Sequence, residues 1–251
     1  MAEQLNIIKS MLAKFVLILI ILTFVISHAH AVRIKDIIDI EGVRKNQLVG
    51  YGLVVGLNGT GDGNKSEFTI QSMASMLEKM GITVNTEDIK VDNVAAVMVT
   101  AGLPPFARVG SRIDVLVSSI GDADNLQGGT LLFTPLKAAN GKVYAVAQGP
   151  VSTGGFSVGG AGGKVQKNFP TVGRVVGGAM IEREVISNFN QKRTLSLVLR
   201  NPDFTTASRV AEAINAALYE QIAKAPDAGA VQVKISEKYS ENIAGLVVLI
   251  E

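Results

Sequence analysis

Cysteine and tryptophan are absent from this 251-residue sequence, and its two histidines, His28 and His30, sit close to the N-terminus. Beyond residue 30 there is no thiolate and no imidazole, which excludes an ordinary zinc site, a cysteine nucleophile and a histidine general base. A disulfide framework is excluded as well. A marked excess of either charge is also missing, with 24 Lys and Arg against 22 Asp and Glu. So even a balance provides no basic face for bulk nucleic-acid binding, and no nucleic-acid partner is expected. Aromatic residues make up only 5% of the chain, but 47% of it is hydrophobic, enough for a sizeable core. The composition is that of a globular chain, long enough for one large domain or two small ones. What is abundant is glycine, with 26 residues, and this points to turns, bulges and close backbone approaches.

None of the glycine clusters builds a phosphate cradle. Gly50-Tyr51-Gly52-Leu53-Val54-Val55-Gly56 is one residue too long for the dinucleotide fingerprint, and no long helix follows Gly56. In Gly63-Asn64-Lys65-Ser66 an asparagine separates the glycine from the lysine, and Gly163-Lys164 runs on into Val165; neither fits the phosphate loop. The Asn58–Asp62 segment faintly resembles a calcium loop, but Thr69 stands where a bidentate glutamate is required. That segment reads as an Asx-rich turn. Glu182 and Glu184 are expected on one face of a strand, with Arg183 on the other, as a solvent-facing pair. No catalytic residue, cofactor or metal site is expected.

The first 31 residues have the layout of a cleaved secretory signal. Lys9 and Lys14 precede an apolar stretch from Phe15 to Ile26 that only Thr23 interrupts, and Ala29-His30-Ala31 offers a small-x-small cleavage site between Ala31 and Val32. A membrane span needs about 20 apolar residues, more than this stretch supplies; an uncleaved anchor is the alternative reading. Export to the periplasm is the expectation.

Periodicity then divides the rest. Leu48–Leu57 reads as a glycine-punctuated strand, where bulging or a close neighbouring backbone is expected. Ile70, Met73, Leu77 and Met80 share one face of a helix over Phe68–Met80, with Ser66 as cap and Gly81 after its end. Strands follow at Val94–Thr100 and Arg112–Ser118. Thr130–Leu136 and Lys142–Gln148 flank Asn140-Gly141, the preferred pair of a type I′ hairpin turn. Six glycines between Thr153 and Gly163 mark a flexible loop and a boundary. Beyond it come a strand at Thr194–Arg200, a helix at Thr205–Tyr219 and a strand at Val231–Ser236. The expected fold class is α+β: two small strand–helix–strand modules with mixed or antiparallel sheets and a β-hairpin, joined by a Gly-rich loop. The expected division is a signal at 1–31, a first module at 32–150, the loop at 151–170 and a second module at 171–251. The run Ile243–Ile250 is apolar but for Gly245 and reads as a candidate aggregation edge.

Arg33, Lys35, Arg44 and Lys45 cluster early, and Lys164 and Lys167 flank the glycine-rich segment. Solvated surface charge is the default for such residues. The functional reading is contact with an acidic partner such as peptidoglycan or another protein.

Several segments together resemble the flagellar P-ring protein family. They are Arg33–Asp36, Gly50-Tyr-Gly-Leu-Val-Val-Gly-Leu-Asn-Gly-Thr-Gly-Asp62, Val94-Ala-Ala-Val-Met-Val-Thr-Ala-Gly-Leu-Pro-Pro-Phe106, Gly128–Leu136, Val143–Gly149 and Val176–Glu184. The resemblance implies a periplasmic subunit of a homo-oligomeric ring around the flagellar rod. Its implied partners are other copies of itself, the rod, the outer-membrane L-ring protein and peptidoglycan, and no catalytic residues come with it. It also implies that the chain corresponds to the N-terminal two-thirds of such a protein and assembles poorly alone. A periplasmic glycan- or ligand-binding module and a secretin-like ring domain are the alternatives.

Overall fold

The computed structural model describes residues 32–63, 66–154, 156–160, 163–167, 169–185, 189 and 192–251, with 156–160 and 163–167 described as backbone only. The signal segment, Ala31 included, lies outside the described residues. In chain order the elements are α1 (Ile34–Ile37), β1 (Ile38–Ile40), β2 (Asn46–Val55), α2 (Glu67–Lys79), β3 (Val94–Leu103), β4 (Arg112–Ser119), β5 (Thr130–Lys137), β6 (Val143–Pro150) and β7 (Ser152–Thr153). They continue as β8 (Phe156–Gly160), β9 (Gly163–Lys167), β10 (Val172–Ile181), β11 (Thr194–Leu199), α3 (Phe204–Leu218), β12 (Ala223–Lys224), β13 (Ala230–Lys234) and α4 (Ile243–Ile250). The α+β class is as expected.

Residues Ile40–Leu195 form one compact unit. Its sheet runs β4-β3-β2-β5-β6-β10, and β10 also pairs with β4, so six antiparallel strands close into a barrel. A six-stranded barrel is narrow, because barrel diameter grows with strand number. Its buried cluster combines the small Ala95, Val97, Val99, Ala145, Ala147 and Ala179 with the larger Leu48, Leu103, Leu131, Leu136 and Ile181. Gly50 and Gly52 let β5 approach β2. A Cβ on Gly50 would lie 2.6 Å from the Pro135 carbonyl oxygen, and one on Gly52 would collide with Thr134 Oγ1. The β2–β5 register shifts between Val49 and Val54. Bulging and close approach are thus both present, as the strand glycines implied.

Helix α2 covers part of the outer barrel wall. Ile70, Met73 and Met76 pack against Leu53, Val91, Val94 and Ala96, while Met80 is exposed. The expected face is therefore rotated toward Met76. Gly81, at φ +84°, ends the helix: its N–H bonds the Glu78 carbonyl and that of Ile82 bonds the Leu77 carbonyl, both at 2.9 Å. Ser66 makes no side-chain cap and instead donates its hydroxyl to Asp122 Oδ1 at 2.8 Å.

Three further expectations are corrected. The β5–β6 hairpin forms, but its turn is not type I′, since Gly141 has φ +76° while Asn140 does not have a positive φ. Gly141 N–H bonds the Ala138 carbonyl, and Ala138 N–H bonds the Lys142 carbonyl. This is the three-residue loop in which only the last position needs a left-handed residue. Within 151–170, read as a flexible loop, β7 pairs with β10, and β8 pairs with β9 from Phe156↔Lys167 to Gly160↔Gly163. Glu182 and Glu184 lie beyond β10, which ends at Ile181.

The division of the chain also differs from the expected one. The second unit combines the described residues up to Asp39 with Ser196–Glu251. The boundary misses 151–170 because β10 returns to close the barrel, a long-range pairing that local glycine content cannot reveal. The sheet β1-β11-β13-β12 and helices α3 and α4 make up most of this unit. Ala207, Val210, Ala211 and Ile214 are the buried residues of α3, at the i, i+3, i+4, i+7 spacing of one helix face. Asp203 caps α3 by accepting from Thr206 N–H at 2.7 Å. The hydrogen bond from the Thr206 side chain, followed by this backbone bond, holds the Asp203 carboxyl below its ordinary range. The apolar end of the sequence is helix α4 rather than a strand edge. It buries Ile243, Leu246 and Ile250 and leaves Val248 and Leu249 exposed.

Candidate functional site

The six cations singled out in the sequence are divided between the two units. Arg33 and Lys35 belong to the unit that contains Ser196–Glu251, and Arg44 and Lys45 to the barrel unit. Arg33 is held by Asp36 at 3.4 Å. The side chains of Lys164 and Lys167 lie outside the described residues. Val32, expected at the signal cleavage point, is exposed.

Arg44 and Lys45 stand just before β2, both exposed. Pairing of β2 with β5 sets Val49 opposite Lys137, and pairing with β3 sets Asn46 opposite Leu103. These two registers bring the start of β2 to the β5–β6 turn and form a cleft of about 460 Å³ at one end of the barrel. Arg44, Lys45, Asn46 and Gln47 line one side, Asn140 and Tyr144 the other, and Leu103, Ala138 and Val185 supply apolar surface.

The far wall is fixed by its own hydrogen bonds. Asn140 Nδ2 donates to Tyr144 Oη at 2.9 Å, and Lys142 N–H donates to Asn140 Oδ1 at 3.1 Å. The Tyr144 carbonyl accepts from Glu182 N–H at 2.9 Å and Arg183 N–H at 3.1 Å. The near wall is uncommitted: among the described residues the side chains of Arg44, Lys45, Asn46 and Gln47 have no hydrogen-bond or ion-pair partner. Among the described residues, no carboxylate lines the cleft. Sequence reasoning found the two cations and missed the amides and Tyr144. The Asn140-Gly141 turn was legible, but its placement against residues 44–47 depends on strand pairings some 90 residues apart in sequence.

The Asn58–Asp62 segment that resembled a calcium loop has an internal purpose. Asp62 is fully buried. Its Oδ2 accepts from Thr69 Oγ1 at 2.6 Å and Ala96 N–H at 2.8 Å, and its Oδ1 from Ala123 N–H at 3.0 Å. Nearby, Asp122 Oδ1 accepts from Gly63 N–H at 2.8 Å, and this bond, followed by that from Ser66, holds the Asp122 carboxyl below its ordinary range. Glu184 is drawn to Arg108 at 3.2 Å instead of pairing with Glu182.

The barrel unit thus carries one helix on its wall and, at one end, an open cleft lined by two cations, three amides, Tyr144 and apolar side chains. The profile of the flagellar P-ring protein family matches residues 33–251. A flagellar P-ring protein of Syntrophotalea carbinolica is 57% identical over 83% of this chain and 57% of its own length. Those of Geobacter sulfurreducens and Geobacter metallireducens are each 53% identical, over 93% and 94% of this chain and 64% and 65% of their own lengths. The chain belongs to the flagellar P-ring protein family. It spans less than two thirds of the length of these three relatives.

Proposed function

We propose that the chain is a structural subunit of the periplasmic P ring, which surrounds the flagellar rod and acts as a passive bushing in the peptidoglycan layer. The observation that carries this reading is the family match from residue 33 to residue 251, which includes every element of both units. The architecture supports it. Closure leaves the barrel itself without exposed sheet edges to invite uncontrolled pairing. A ring of identical subunits needs two complementary surfaces on each copy, set so that a fixed rotation closes. Other copies of the chain, the rod, the outer-membrane L-ring protein and peptidoglycan are the proposed partners. Arg33, Lys35, Arg44, Lys45, Lys164 and Lys167 are the proposed basic contacts.

Deletion of the encoding gene, followed by electron microscopy of purified basal bodies, tests this. The expected result is loss of the ring at the level of the peptidoglycan, with its return on complementation. Intact rings in the deletion strain would overturn the reading.

A further inference from the structure

We propose that the cleft at the end of the barrel binds an anionic carbohydrate, with Arg44 and Lys45 taking its carboxylate and the amides of Asn46, Gln47 and Asn140 meeting its hydroxyls beside Tyr144. The proposal rests on the placement of the chain in the cell wall and names the ligand chemistry of the Arg44–Lys45 contact. The cleft's volume, about 460 Å³, falls within the roughly 300–1,000 Å³ of small-ligand sites. Two cations and, among the described residues, no lining carboxylate make an anion the favoured guest. The guanidinium fork matches a carboxylate in two parallel hydrogen bonds, and an ammonium adds a point charge.

Charge alone would fit an acidic peptide equally well; the rest of the lining distinguishes the two. Each amide both donates and accepts, as a sugar hydroxyl does, so three amides in one cleft match adjacent hydroxyls. Asn140 is already oriented by Tyr144 Oη and Lys142 N–H, which lowers the cost of ordering it on binding. Leu103, Ala138 and Val185 give the C–H face of a sugar ring an apolar surface. The Asn46 and Gln47 side chains have no partner among the described residues and are free to serve a ligand.

The test is calorimetric titration of the purified chain with the soluble cell-wall disaccharide of N-acetylglucosamine and N-acetylmuramic acid, whose lactyl carboxylate is free. Comparison ligands are the same disaccharide with that carboxylate amidated, a neutral N-acetylglucosamine oligomer and tetraglutamate. The free-carboxylate saccharide is expected to bind best. Amidation of the ligand, or the double substitution Arg44→Gln and Lys45→Gln, should each weaken it about tenfold or more, and Asn140→Ala should weaken it while leaving any tetraglutamate binding unchanged. Arg44 and Lys45 are exposed, so an unchanged thermal transition is expected for the double variant. Absence of saccharide binding, equal binding by the double variant, or tetraglutamate bound as tightly as the saccharide would each overturn the proposal; the last would make the cleft a protein-docking site. Calorimetry decides the ligand and basal-body microscopy decides the ring, so failure of one is distinguishable from failure of the other.

Discussion

Thr69 donates its hydroxyl to Asp62 Oδ2 across 2.6 Å, with both residues fully buried. Through this contact the first turn of α2 is tied to a carboxylate that also receives Ala96 N–H from β3 and Ala123 N–H from the segment after β4. Asp62→Ala would leave these donors unpaired in a dry environment, at about 1–3 kcal/mol for a buried unsatisfied group. A loss of about 3 kcal/mol or more in urea unfolding is expected. Thr69→Val, which removes one donor and keeps the shape, should cost clearly less. Equal losses for the two variants would contradict the assigned hub.

Gly52 allows β5 to approach β2. A Cβ at that position meets Thr134 Oγ1 and, at 3.2 Å, Leu131 Cδ1. Gly52→Ala should therefore cost about 1–3 kcal/mol as an overpacked core does. Thr134→Ala should recover part of that loss in the double variant. The check is a double-mutant cycle by chemical denaturation, and simple additivity would count against the close approach.

The β5–β6 turn requires a left-handed residue at one position. Gly141 holds φ +76°, and a Cβ there would meet nothing within 4 Å, so the penalty of Gly141→Ala is conformational alone. About 1 kcal/mol of destabilisation is expected, whereas Asn140→Ala should not incur that backbone penalty. A larger loss at Asn140 than at Gly141 would favour a different turn.

Local chemistry was the legible part of this fold. Hydrophobic period located α2, α3 and the strands β2, β4, β5, β6, β11 and β13 to within two residues at each end, because those residues answer to their immediate neighbours. The close approach at Gly50 and Gly52 was also visible, since few other reasons place glycine in mid-strand. Barrel closure was not. It depends on Val172–Val175 pairing with Val115–Ser118 of β4 while Ala179–Ile181 pair with Ala145–Ala147 of β6, and neither segment carries a mark naming its partner. The candidate site divides the same way. Arg44 and Lys45 stood out by charge, while Asn140 and Tyr144 joined them only once the registers were known.

Asp39 and Arg200 tie the segment after α1 to the end of β11, with Arg200 Nη2 2.9 Å from Asp39 Oδ1. The hydrogen bond from Arg200 is the main cause that holds the Asp39 carboxyl below its ordinary value of 3.8. A depressed carboxylate stabilises the fold fully above that value and loses its contribution as the pH falls through the folded-state midpoint. Both side chains are more than half exposed, so salt should weaken the effect. In carbon-detected NMR titration the Asp39 midpoint should lie below 3.8 and rise toward it in Arg200→Gln. An unchanged midpoint would show that the pair is not formed in solution.

Whether this fold is built into the P ring is decided by cryo-electron microscopy of basal bodies purified from the native cell. At side-chain resolution, each repeating unit of the ring at the peptidoglycan level should contain the six-stranded barrel of Ile40–Leu195 with α2 laid over Leu53 and Ala96. A ring whose subunits lack that barrel, or whose density traces a different sequence, would show that the chain is not the P-ring subunit.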